Sequence, residues 1–83
     1  MYKVQVERKA QKKLAKIPLP YYSSIKTAIL DLADEPRPNG HKKLKGRDAY
    51  RIRIADYRVI YEIHDDVLLV QVIDLGHRKD IYK

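Results

Sequence analysis

The sequence contains no cysteine, no tryptophan and no phenylalanine, and only three glycines and one methionine. Without cysteine there is no disulfide framework, no thiolate metal site and no cysteine nucleophile, which suits a reducing compartment. Without Phe and Trp, seven tyrosines must supply the large aromatic rings, so tyrosine does both the packing and the polar work. Long apolar runs are missing too. None approaches the roughly 20 residues that span a bilayer, and the opening MYKVQVERK lacks the apolar stretch of a secretion signal. These absences predict a soluble protein of the cytoplasm with no membrane contact.

What is present is one small domain, residues 1–83, with 45% hydrophobic and 35% charged residues. A chain of this length has room for one core only. Its net charge of +7 is unevenly spread: residues 37–58 hold eight Lys or Arg against two Asp. Such clustering is the electrostatic footprint of a polyanion site, or else a solvated basic face.

Periodicity divides the chain without leaving a linker. YKVQV (2–6) alternates as a strand, and ERKAQKKLAKI follows with Ala10, Leu14 and Ile17 at helical spacing. PLP ends that helix. Pro20 suits the first turn of a second helix, in which Tyr22, Ile25, Ile29, Leu32 and Ala33 share a face, and EPRPNG stops it. Residues 36–48 read as a long basic loop, ordered or mobile. AYRIRI, YRVIYEI and VLLVQVID then form three strands with short connections, an antiparallel meander. The expected fold is α+β, in the order β-α-α-β-β-β, with a helical hairpin packed on one face of a small, mainly antiparallel four-stranded sheet.

In AYRIRIADYRVIYEI, alternation sends Tyr50, Ile52 and Ile54 one way and Arg51 and Arg53 the other. A two-residue turn at Ala55 and Asp56 would pair Ile54 with Tyr57, Arg53 with Arg58, and Ile52 with Val59. Like charges placed directly opposite are destabilising. Glu62 could partly neutralise Arg51 diagonally, but one carboxylate cannot pair three guanidiniums. Guanidiniums match phosphate oxygens bidentately, and because they keep their protons they hold charge without acting as bases.

The last stretch, DLGHRKDIYK, is either a solvated polar tail or part of the site. Taken with KKLKGRDAYRIRIADYRVIYEIHDD, it resembles the RelE/ParE superfamily of toxins from toxin–antitoxin modules, in detail its RelE branch, over residues 42–82. The resemblance implies a ribosome-dependent endoribonuclease that cleaves mRNA in the ribosomal A site by attack of the 2′-OH, with no cofactor and no metal. The three histidines, at 41, 64 and 77, form no acid–His cluster of metal-ligand spacing.

By position the resemblance implies that Arg58 and Arg78 grip the scissile phosphate, while Arg51 and Arg53 position neighbouring phosphates or orient the base. Tyr82 would stack on the codon or move a proton. Lys42, Lys43, Lys45, Arg47 and Lys79 would contact RNA and the ribosome. Well-studied relatives carry Lys where Arg51 and Arg53 stand, so a base role assigned to such a Lys does not transfer. His77 then becomes a candidate acid or base. A RelB-like antitoxin is the implied protein partner. Two other readings remain: a ParE-like inhibitor of DNA gyrase that cuts no RNA, and an inactive chain that serves as an antitoxin-binding co-repressor.

Overall fold

A computed structural model of the chain describes residues 1–77 and 79. In chain order it holds β1 (Lys3–Val6), α1 (Arg8–Ala15), α2 (Tyr21–Asp31), β2 (Lys42–Lys43), β3 (Tyr50–Ile54), β4 (Tyr57–His64) and β5 (Leu69–His77). The strands form one sheet in the order β1-β5-β4-β3-β2. The expected α+β class and element order hold. The sheet has five strands rather than four, because two residues of the basic loop, Lys42 and Lys43, pair with Arg51 and Tyr50.

The main core lies on one side of the sheet, as the alternation demands. Ile52, Val59, Tyr61, Val70, Val72 and Leu75 on the sheet meet Ala10, Ile25, Ile29 and Leu32 from the helices and the end of α2. Each large aliphatic side chain buried this way contributes roughly 1.5–3 kcal/mol of transfer free energy. β1 closes the sheet by running parallel to β5, with Val4 opposite Val70 and Val6 opposite Val72. Both helices are slightly shorter than their apolar patterns. Pro20 stands just before α2 as its capping residue, not inside its first turn.

Two local features position the opposite face. The amide of Leu44 donates to the Ala49 carbonyl (2.8 Å), closing a tight hairpin between β2 and β3. Gly46 in that turn has φ +75°, a left-handed conformation glycine adopts without strain. Upstream, the Tyr61 hydroxyl donates to the Pro36 carbonyl (2.8 Å), His41 Nδ1 donates to the Pro38 carbonyl (2.8 Å), and Arg37 binds Asp65 (3.0 Å). These bonds order the segment that enters β2.

The second feature is a β-bulge. Ile60 pairs with Asp74 and Tyr61 with Val72, so Ile73 is the extra residue on β5. A bulge shifts the parity of everything after it. Val70 and Val72 face the helices before it, and Leu75 does so after it.

Candidate functional site: a basic face of the sheet

The face turned away from the helices carries the charge. Arg53 pairs directly with Arg58, Arg51 with Ile60, and Lys42 with Arg51. The turn that sets this register is the two-residue one at Ala55 and Asp56, with Ala55 at φ +53°. Four cations, Lys42, Arg51, Arg53 and Arg58, thus stand on three neighbouring strands.

Among the described residues, the carboxylates nearest Lys42, Arg51 and Arg53 are engaged elsewhere. Glu62 lies 3.1 Å from His64 Nε2 rather than on Arg51. Asp74 accepts from Lys13 at 2.7 Å and lies 3.6 Å from Lys9, while Asp48 lies 3.9 Å from Lys43. Among the described residues, Lys42, Arg51 and Arg53 make no ion pair. A surface that leaves three cations on one face without acids suits an anion better than it suits stability.

Exposure varies across this face in a useful way. Arg53 is exposed and Arg51 half-buried, but Arg58 and Ile60 are only 7% and 6% exposed, although both point away from the helical core. Arg58 stands opposite Gly76, where no side chain competes for space beside the guanidinium. Ile60 lies in an open groove of about 650 Å3, together with Ile73, Glu62 and Asp74 and with Leu44, Lys45 and Arg47 of the β2–β3 hairpin. A smaller recess of about 290 Å3 is lined by Lys42, Arg51 and Arg53 with Asn39 and Gly40. Ile60 and Ile73 give the groove an apolar floor, with Lys45 and Arg47 among its walls.

The sequence-derived candidates therefore separate. Lys42, Arg51, Arg53 and Arg58 come together, with Lys45 and Arg47 on the neighbouring groove. Lys43 pairs opposite Tyr50 and so points to the other side of the sheet. His77 is not brought to the arginines: it pairs opposite Tyr57, on the helix side, one residue beyond Gly76. Its ring meets Tyr57 edge-on at 5.6 Å. Without the bulge at Ile73, His77 would share the arginine face. Lys79 is exposed, and its amide donates to His77 Nδ1 at 3.3 Å. Arg78 and Tyr82 lie outside the described residues.

Asp74 was missed by sequence reasoning. Burial would raise its carboxyl, but the hydrogen bonds from Lys13 and the Leu75 amide and the charges of Lys13 and Lys9 outweigh that and hold it below the usual carboxylate range. Its signal was visible as a break in parity: apolar residues at 70, 72 and 75, with an acid at 74. Among the described residues no group of three or more His, Asp or Glu could hold a metal ion.

Comparison with known proteins gives one family and a consistent set of folds. A family described as the ParE toxin of the type II toxin–antitoxin system parDE matches residues 4–82. No curated protein matches the sequence. Among solved structures, the archaeal RelE–RelB complex from Pyrococcus horikoshii OT3 contains a chain 29% identical, with TM-score 0.84, covering 95% of this chain and 97% of that one. The RelBE2 toxin–antitoxin complex from Mycobacterium tuberculosis matches at 26% identity and TM-score 0.82, covering 93% and 98%. The isolated RelE toxin of Escherichia coli matches at 26% and 0.80, covering 93% and 84%.

Proposed function

We propose, from the premise that this chain belongs to the ParE toxin family and is the toxin of a type II toxin–antitoxin module, that it is a ribosome-dependent endoribonuclease of the RelE kind. The observation that supports this reading is the register of Arg53 against Arg58, with Arg51 and Lys42 on the same face. A purely structural sheet gains nothing from that pairing, and a phosphate gains a clamp.

In the proposed reaction the ribose 2′-oxygen attacks the adjacent phosphorus. The O2′–P bond forms and the P–O5′ bond breaks, leaving a 2′,3′-cyclic phosphate and a free 5′-hydroxyl. Arg58 and Arg78 stabilise the charge that develops on the non-bridging oxygens, while Arg51 and Arg53 align the flanking phosphates. Tyr82 is the proposed stacking or proton-carrying group. Lys42, Lys45 and Arg47 hold backbone phosphates of mRNA or ribosomal RNA, contacts that position without reading sequence. The reading needs no cofactor, places the protein in the cytoplasm, and makes its antidote a RelB-like antitoxin. The structures it resembles include toxin–antitoxin complexes.

The test is expression of wild type and Arg53→Ala, with mRNA 5′ ends mapped in the presence and absence of translation. Codon-phased cuts on translated messages that fade in the variant are the expected result. Equal cleavage of naked RNA would remove the ribosome from the reaction. A second reading is favoured by the family match itself, which carries the ParE description: inhibition of DNA gyrase without RNA cleavage. Intact mRNA together with gyrase trapped on cleaved DNA would establish it.

A further inference from the structure

The sheet end that presents Arg58 to one side presents aromatic rings to the other. Tyr57 and His77 meet with centroids 5.6 Å apart at 80°, and Tyr21 of α2 joins Tyr57 at 5.5 Å and 44°. Three rings form a row. Tyr21 is exposed, and Tyr57 and His77 are half-buried, Tyr57 resting against the core, so the row keeps a side open to solvent. Beside it lies a slot of about 390 Å3 whose other wall is Ile17 and Pro18, just beyond α1, with Lys13 and Lys16 at its edge. Lys13 is held by Asp74. Lys16 is exposed and makes no ion pair among the described residues.

We propose that this slot binds one unpaired base of single-stranded RNA, stacked on the His77 ring and meeting Tyr57 at its edge, with its phosphate toward Lys16. The inference rests on the nuclease reading for the identity of the nucleic acid, and adds a contact on the face opposite the arginines. An aromatic wall facing an aliphatic wall accepts a flat ring of any base, since every base has a π-face. A free ammonium at the rim selects the phosphate that travels with it. An acidic peptide would use the lysine and leave the rings without a purpose. The Lys79 amide donates to His77 Nδ1, so that nitrogen is the acceptor of the ring. A strand crossing the sheet end at Gly76 reaches Arg58 on one side and Tyr57 on the other, because the two are neighbours on β4.

The experiment uses the full chain and a short 2′-O-methyl oligoadenylate, which cannot be cut. NMR signals of the Tyr21, Tyr57 and His77 rings are followed during titration, beside an abasic oligonucleotide of equal length. Upfield ring shifts with the oligoadenylate alone, and about tenfold weaker affinity in Tyr57→Ala and His77→Ala, support the proposal. Equal shifts with the abasic strand, or unchanged affinity in both folded variants, overturn it. So does unchanged RNA affinity combined with lost binding of an acidic antitoxin peptide, which assigns the surface to protein. Arg53→Ala separates the two readings: it should lower cleavage yet leave the ring shifts. Full cleavage by that variant would count against the arginine site without touching the slot.

Discussion

Replacing Arg53 by threonine should make the protein more stable and less active. Arg53 stands directly opposite Arg58, and like charges across strands cost within about 0.2–1 kcal/mol. Coulomb's law gives a similar figure, about 0.7 kcal/mol in water for unit charges ~6 Å apart. Threonine keeps a good strand former on an exposed position. A gain of about 0.5 kcal/mol corresponds, for a domain of this size, to a rise of roughly 2–4 °C in Tm. Removing a guanidinium that aligns a flanking phosphate should lower single-turnover cleavage on programmed ribosomes by about 10²-fold. Thermal unfolding by circular dichroism, at ~0.05 M and ~1 M salt, reads the first quantity. Screening shortens to about 3 Å at 1 M, so the gain should largely vanish there. Arg53→Lys, which keeps the charge, should leave Tm unchanged. A lower Tm for the threonine variant, or a gain that survives high salt, would refute the view that this pair is held against its own repulsion.

Asp74→Asn should destabilise by about 0.5–1 kcal/mol, because it breaks the link to Lys13 and Lys9. Since the folded carboxyl lies below its unfolded value, the contribution of Asp74 is present above about pH 4 and fades as pH falls. Denaturant unfolding as a function of pH should therefore show a flatter acid limb in the variant. Tyr61→Phe removes the bond to the Pro36 carbonyl and should cost about 1 kcal/mol with an unchanged denaturant slope. Burial pushes the Tyr61 hydroxyl up to about 12, so in wild type the unfolded chain loses that proton first. Stability should thus decline from about pH 10 upward, and Tyr61→Phe should lack that part of the decline.

The arginine pairing was legible because a two-residue turn fixes hairpin register completely, and Ala55 and Asp56 leave no spare residue. The helices were legible from Ile25, Ile29 and Leu32 recurring on one face. β2 was not, because Lys42 and Lys43 have neither alternation nor β-propensity. They become a strand through the backbone hydrogen bonds that Arg51 and Tyr50 offer. The placement of His77 was hidden for a related reason. The acid at 74 marks a break in parity, but Ile73 is apolar like Val70 and Val72, so composition alone does not single it out as the extra residue that turns His77 away from Arg58.

The pairing of β1 with β5 joins residues more than 60 positions apart, Val4 to Val70 and Val6 to Val72. Loop closure over that span must precede the contacts that reward it. During synthesis, β4 has no β5 to lie against and β1 has no neighbour until residues 69–77 have emerged. The sheet therefore cannot assemble until residues 69–77 have emerged, and until then the ribosome carries an unassembled chain. An antidote already present in the cell has that interval, and the exposed edge of the unfinished sheet, in which to act first.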